Sequence, residues 1–125
     1  MSRPGEGDVR RGEIVWLDCD PSVGVEPSKT RTCIVVSNDI ANEYGQAVTV
    51  VPTQRFSKDR ASRAYMVDLR VPRSSMKEAR VANCSMIMPS DRSRIVGNAG
   101  RTTPDTMADI DRAILLHLGI GDSEH

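Results

Sequence analysis

The chain has 125 residues, 38% of them hydrophobic, and its 17 Lys and Arg residues balance its 17 Asp and Glu residues. This length suits one domain with a single core, since domains typically take roughly 100 to 150 residues. The sequence offers neither the roughly 20 consecutive apolar residues of a membrane span nor the apolar segment of a secretion signal. We therefore expect a soluble, cytoplasmic protein with a folded domain at 11–120 and disordered tails at 1–10 and 121–125.

Five short segments have the apolar, β-branched content of strands. The fourth alternates apolar and polar residues, which predicts a strand that is buried on one face. Cys19, Cys33 and Cys84 lack the spacing of a disulfide framework or a zinc site, and a free thiol beside a strand acts as a small apolar filler. The predicted strands are 13–18, 32–37, 47–53, 64–71 and 80–88.

The segment between the first two strands is rich in Pro, Ser and Gly, which predicts a surface loop. It carries Glu26, Lys29 and Arg31, and charged groups on such a loop face solvent and ligands. A carboxylate can take a proton from a ribose hydroxyl, an arginine can stabilise charge on a phosphorane, and the Thr53 hydroxyl can hold a phosphate oxygen. Glu26 and Arg31 would equally fit a surface salt bridge, which contributes little to stability.

Capping residues predict two helices. Asn38 opens a short helical turn that Gly45 ends, and Thr103 followed by Pro104 opens a longer helix that stops at Gly119. Many short strands followed by one amphipathic helix predict a small, strongly bent antiparallel sheet or barrel with the helix packed at its end. The apolar stripe of the final helix is Met107, Ile110, Ile114 and Leu118.

Charge is unevenly distributed, because residues 55–94 contain ten basic and four acidic side chains. Such a basic block attracts a phosphate backbone without reading its sequence, although a solvated loop beside two strands has the same pattern. Asp18 and Asp20 have the spacing of a metal-binding pair, but they also fit ordinary turn initiation and no third ligand follows. His117 lies at a helix end and His125 in a tail, so we expect no metal, cofactor or catalytic histidine.

Several blocks, taken in order, resemble the MazF/PemK/Kid family of toxin endoribonucleases over about 11–120. They are R-G-E-I-V-W-L-D-C-D-P at 11–21, G-V-E-P-S-K-T-R at 24–31, I-V-V-S-N-D at 34–39, V-V-P-T at 50–53 and M-A-D-I-D-R-A-I-L-L-H-L-G-I at 107–120.

The resemblance implies a mainly β (α+β) fold, an SH3-like antiparallel β-barrel of the PemK/CcdB type with a C-terminal helix. It further implies a homodimer that binds single-stranded RNA, cuts it without a metal by attack of the 2′-hydroxyl, and is silenced by a MazE-like antitoxin.

In the family, Arg31 matches the catalytic arginine, Thr53 the active-site threonine and Glu26 a loop acid. We assign Arg31 to charge stabilisation, because a guanidinium scarcely loses its proton in proteins. The residues expected to bind RNA are Ser28, Lys29, Arg55, Lys58, Arg60 and Arg63.

Two departures from the family pattern affect these expectations. Thr32 stands where many members have Pro, which alters the start of the strand more than the chemistry. Met86 and Met88 replace a Gln and an Arg or Lys, which should weaken or redirect RNA recognition. We expect both methionines on one strand face, in the core or in an interface.

A second interpretation is a CcdB-like toxin, which shares the fold but binds DNA gyrase and has no enzymatic activity. That type carries an exposed Trp-Gly-Ile near its end, whereas this chain has Leu118-Gly119-Ile120 and its single tryptophan at Trp16. The loop arginine, Arg31, favours the nuclease.

Overall fold

The computed structural model describes residues 9–27, 29–69 and 79–121. No helix within these ranges is both long and apolar enough to cross a membrane. Short 3-10 turns at Cys84–Met86 and Arg92–Arg94 flank the sixth strand. The strands are β1 (Glu13–Asp18), β2 (Thr30–Val35), β3 (Ala47–Arg55), β4 (Met66–Asp68), β5 (Arg80–Asn83), β6 (Met88–Asp91) and β7 (Ile95–Arg101), and the helices are α1 (Asp39–Tyr44), α2 (Lys58–Ala61) and α3 (Pro104–Leu118).

All seven strands pair antiparallel in one sheet. Six of them follow the order β4-β5-β3-β2-β1-β7, and β6 pairs with β3 beside this path. Strand β3 pairs with β2 along one edge, and along the other edge with β6 in its first half and β5 in its second. The predicted antiparallel sheet with a C-terminal helix is confirmed. Among the described residues the order ends at β4 and β7, so the barrel-like sheet is open.

Apolar side chains cover both faces of the sheet. One cluster, which includes Ile14, Ile34 and Val51, packs against Met107 and Ile110 of α3. Burying a side chain such as Ile contributes about 1.5 to 3 kcal/mol. The second cluster, on the opposite face, is built from Val9, Val15, Leu17, Cys19, Cys33, Val35, Val48, Val50 and Ile95.

Helix α3 begins and ends where its caps predict. Thr103 accepts a hydrogen bond from the Thr106 amide at 3.2 Å, Pro104 opens the helix, and Gly119 ends it with a φ of 69°. The salt bridge from Arg11 to Asp111 ties the helix to the segment that precedes β1. The shorter α1 is likewise capped by Asn38 and ends at Gly45, as predicted.

Strand β2 begins two residues earlier than predicted. Leu17 pairs with Arg31 and Asp18 with Thr30, so the ladder with β1 continues past the expected start at Thr32. The placement of Arg31 in a loop was therefore wrong. The arginine lies on the sheet itself, which restrains its backbone far more than a loop does.

The predicted strand 80–88 is interrupted. The side chain of Asn83 accepts a hydrogen bond from the Ser85 amide at 3.1 Å and turns the chain out of β5. Met86 lies in that turn and Met88 in β6, so the prediction that they share a strand face was wrong, although Met88 does pack against the second cluster. Strands β6 and β7 and helix α2 were not predicted, and the end of the predicted strand 64–71 lies outside the described residues.

Candidate active site

Glu26 lies in the exposed loop between β1 and β2, as predicted. Its carboxylate accepts a hydrogen bond from the Val23 amide at 2.7 Å, and its own amide donates to the Val23 carbonyl at 3.1 Å. This reciprocal pair closes a turn and holds the carboxylate in place. A carboxylate has about four lone-pair positions, so this one can still accept a proton. Ser28 lies outside the described residues.

Lys29, which precedes β2, has a left-handed backbone with a φ of 61°. Its amide donates to the Asp20 carboxylate at 2.9 Å and its carbonyl accepts from the Cys19 amide at 2.8 Å. Asp18 in turn accepts a hydrogen bond from the Asp20 amide at 3.2 Å. Asp18 and Asp20 thus stabilise the loop through hydrogen bonds to backbone amides. Within the residues that the structure describes, no group of three or more His, Cys, Asp or Glu side chains is suited to hold a metal.

Arg31 is partly buried on β2 and shares a strand face with Cys33, because side chains alternate along a strand. Its charge reaches the nearby Cys19 thiol. The pKa of Cys19 is lowered to about 7, mainly because the Cys33 thiol donates a hydrogen bond to the thiolate, with Arg31 and Arg94 contributing and burial opposing. Arg31 and Arg94 therefore both lie close enough to Cys19 for their charges to favour the thiolate, while the charge of Asp18 opposes it.

Thr53 on β3 is 0% exposed. Its Oγ1 lies 2.5 Å from the Oγ1 of Thr32, 3.2 Å from the Thr32 carbonyl oxygen and 3.0 Å from Nε of Arg80. Thr32 is also buried, at 2% exposed. Thr32, which stands where many family members have Pro, thus forms a buried pair with Thr53 between β2 and β3.

Arg80, at the start of β5, is the residue that sequence reasoning missed. Its Nε donates to the Thr53 hydroxyl and its NH2 to the Thr53 carbonyl, both at 3.0 Å. The guanidinium is partly exposed and covers the buried hydroxyl. Only the pairing of β3 with β5 brings these positions together, since 27 residues separate them in the sequence.

Arg31 and Thr53, two of the three predicted catalytic residues, approach this end of the sheet from different faces. Thr53 bonds to Thr32, whereas Arg31 belongs to the alternate face of the same strand. The pKa of Cys33 is raised by its hydrogen bond to Cys19 and by burial, while the charges of Arg31 and Arg80 both act to lower it. Two guanidinium groups therefore lie near this segment of β2, an arrangement that suits a phosphodiester.

The basic residues after β3 form a compact surface around α2. The Arg60 guanidinium donates to the Arg55 carbonyl at 2.9 Å, and Arg63 forms an i,i+4 salt bridge with Asp59 at 2.9 Å. Lys58 is exposed in the first turn of the helix. This surface begins two residues after Thr53 in the chain, at the end of β3.

Comparisons with known proteins cover nearly the whole chain. Residues 10–118 match the sequence family described as PemK-like, MazF-like toxin of type II toxin-antitoxin systems. The chain is 33% identical over 118 residues to the endoribonuclease MazF9 of Mycobacterium tuberculosis, an alignment that covers 90% of this chain and 98% of that protein.

Solved structures show the same fold. MazF from Deinococcus radiodurans matches with a TM-score of 0.78 at 21% identity, covering 92% of this chain and 100% of that one. A mycobacterial endoribonuclease in complex with its cognate antitoxin matches with a TM-score of 0.75 at 19% identity, covering 91% and 98%.

Proposed function

Because the chain belongs to the PemK-like, MazF-like toxin family of type II toxin-antitoxin systems, we propose that it is a metal-independent endoribonuclease that cleaves single-stranded RNA. Cleavage of messenger RNA would stop translation and growth, which is how such an enzyme acts as a toxin. The observation that carries the proposal is the placement of Arg31 on β2, at the end of the sheet that follows the loop carrying the Glu26 carboxylate.

The reaction needs only groups that this chain supplies. The ribose 2′-oxygen forms a bond to phosphorus while the bond from phosphorus to the 5′-oxygen breaks. Glu26 takes the proton of the 2′-hydroxyl, and the 5′-oxygen leaves with a proton from solvent. Arg31 stabilises the charge that grows on the phosphorane oxygens. The products are a 2′,3′-cyclic phosphate and a 5′-hydroxyl.

Incubation of the purified protein with a long unstructured RNA in excess EDTA tests this mechanism. Wild type is expected to cut, and the new 5′ ends should accept phosphate from a kinase without prior phosphatase treatment. Arg31→Ala should abolish cutting and keep the wild-type melting profile. Arg101→Gln should cut normally, because Arg101 ends β7 and pairs with Glu13, at the opposite end of β1 from the residue that pairs with Arg31. RNA that stays intact with the wild type would remove the proposal.

Apolar groups on the surface support the proposed protein partners. We propose that a second copy of the chain and a cognate MazE-like antitoxin bind the protein in the cytoplasm and cover some of its exposed apolar side chains. Light scattering that gives the mass of a monomer at micromolar concentration would contradict the homodimer. The exposed apolar side chains are Val23, Val25, Ile40, Tyr44, Val96, Leu115, Leu118 and Ile120.

The alternative CcdB-like gyrase binder has weaker support. The relative at 33% identity is an endoribonuclease, and the cations and carboxylate described above suit phosphodiester cleavage. A gyrase binder would inhibit supercoiling and leave RNA intact, so a supercoiling assay run beside the RNA assay separates the two functions.

A further inference from the structure

The hydrogen bonds of Thr53 leave its hydroxyl with no free position. A hydroxyl has one proton and two lone pairs. If the proton goes to the Thr32 carbonyl at 3.2 Å, the two lone pairs accept from the Thr32 hydroxyl at 2.5 Å and from Arg80 Nε at 3.0 Å. All three positions are then used inside the protein, and the residue is 0% exposed. Contact with an RNA phosphate would require Thr53 to give up one of these bonds.

Arg80 lies between this buried hydroxyl and solvent. Two of its N–H groups donate to Thr53, one to the hydroxyl and one to the carbonyl, each at 3.0 Å. Two bonds to one residue fix the plane of the guanidinium, and a planar cation held in advance loses little entropy when an anion binds. The side chain is partly exposed, so it can reach a ligand from this fixed position.

Arg80 and Arg31 lie on opposite faces of the sheet, near the same segment of β2. Arg80 reaches β2 through Thr53 and Thr32, whereas Arg31 occupies the alternate face of that strand. The charges of both arginines act on the Cys33 thiol, so both cations lie near this segment of β2, where an RNA backbone that crosses the end of the sheet can meet them. Such a pair would also supply a cation that this chain lacks at Met88, where the family often has Arg or Lys.

We propose that Arg80 binds the RNA backbone phosphate beside Arg31, and that Thr53 is a positioning residue that orients Arg80. The inference rests on the proposed nuclease function and deepens it. The predicted direct contact between Thr53 and the scissile phosphate is replaced by a contact through the guanidinium. Thr53 then affects the reaction only while Arg80 is present.

Salt-dependent binding distinguishes a phosphate contact from a structural role. An RNA with 2′-O-methyl groups cannot be cut, and its Kd is measured by fluorescence anisotropy between low and high salt. Each phosphate contact contributes about 0.7 to the slope of log K against log salt for a single strand. We expect Arg80→Gln to reduce the slope by about 0.7, and Thr53→Val, which keeps the cation, to leave it unchanged. The matched control, Arg101→Gln, should also retain the wild-type slope.

Cleavage rates test the positioning role. Arg80→Gln and Thr53→Val should each lower kcat by roughly 10- to 100-fold, in the range seen when one transition-state donor is lost. The double variant should be no slower than Arg80→Gln alone. Thr53→Ser, which restores the hydroxyl, should return most of the rate, and Arg80→Lys should keep the salt slope while kcat stays low.

Clear outcomes overturn the inference. An Arg80→Gln variant with the wild-type salt slope and rate would exclude the phosphate contact, and multiplicative losses in the double variant would exclude positioning through Arg80. If Arg80→Gln fails to fold, Arg80→Lys and the Thr53→Val and Thr53→Ser pair decide the same question. A wild-type protein that binds RNA but never cuts it would contradict the nuclease proposal, and the salt slopes would still test the Arg80 contact.

Discussion

The carboxylate of Asp20 holds the backbone amide of Lys29 at 2.9 Å, two residues before Arg31. This hydrogen bond restrains the end of the loop, where Lys29 has a left-handed φ of 61°. A side chain with a Cβ costs about 1 to 2 kcal/mol in that conformation. The strained residue, Lys29, therefore lies at the junction of the loop and β2, the strand that carries Arg31.

Two substitutions of Lys29 separate its charge from its conformation. Lys29→Gly relieves the strain and should leave the free energy of unfolding unchanged or raise it by up to about 1 kcal/mol. Lys29→Val places a β-branched residue at positive φ and should lower it by about 1 kcal/mol or more. Urea denaturation gives both values. Because both variants lack the ammonium group, equal losses of RNA affinity are expected, and unequal losses would show that conformation contributes to binding.

A double-mutant cycle tests the buried threonine pair. Thr53→Val leaves the Thr32 hydroxyl and Arg80 Nε without their partner and should lower the free energy of unfolding by about 1 to 3 kcal/mol. Removing both hydroxyls leaves fewer orphaned groups, so the double variant Thr32→Val, Thr53→Val should lose at least about 0.5 kcal/mol less than the sum of the single losses. Strictly additive losses, measured at one protein concentration, would mean that the two hydroxyls do not interact.

The Cys19 thiol is expected to titrate near neutral pH. Its pKa is lowered from an ordinary 9.0 to about 7, chiefly by the hydrogen bond from Cys33. Thiolate absorbance should therefore rise with a midpoint near 7 in the folded protein. Cys33→Ala should move the midpoint upward, and Arg31→Gln should do so by a smaller amount, whereas Arg101→Gln should not. An unchanged midpoint in Arg31→Gln would contradict the proximity of the arginine.

The same titration has a consequence for stability. A thiol whose pKa is lower in the folded state contributes stability that is complete above pH 9.0 and lost as the pH falls through about 7. The free energy of unfolding should thus rise between pH 7 and 9 by up to about 2 kcal/mol, and Cys19→Ser should remove the rise. Cys33, whose pKa is raised by its bond to Cys19, has the opposite effect above its ordinary value of 9.0.

The basic surface around α2 should contribute unequally to RNA binding. Lys58→Gln should reduce the salt slope by about 0.7, the value for one phosphate contact on a single strand. Arg63→Gln should reduce it less, because Asp59 already pairs with that guanidinium at 2.9 Å. Anisotropy titrations at four salt concentrations give both slopes, and equal reductions would show that RNA displaces Asp59.

Local chemistry made much of the fold predictable. Capping residues such as Thr103 and Gly119 bond to backbone groups only a few residues away, so both ends of α3 could be predicted from the sequence. The β1 strand and the start of β3 follow from apolar runs. By contrast, β7 carries Gly97, Asn98 and Gly100, which disfavour a strand on propensity alone, and it forms because β1 offers an unpaired edge.

The candidate site was predictable only in part, for a different reason. Glu26 and Arg31 were singled out as charged residues of the loop segment and Thr53 as a hydroxyl in the 47–53 strand, and the family blocks then matched all three to family positions. Arg80 stood among ten basic residues with nothing local to distinguish it. Its role depends on the register that sets Thr53 opposite Ala82 and Arg55 opposite Arg80, and register is a property of two strands together.

Strand β3 divides one of its edges between β6 and β5, and the four residues that separate those two partners are the turn Cys84–Met86 and Ile87. Inserting or deleting one residue there would force one of the partners to slide. A slide of β5 by a single position would rotate Arg80 through the sheet to the other side. The length of this short, uncharged segment thus determines on which face of the sheet the Arg80 guanidinium lies.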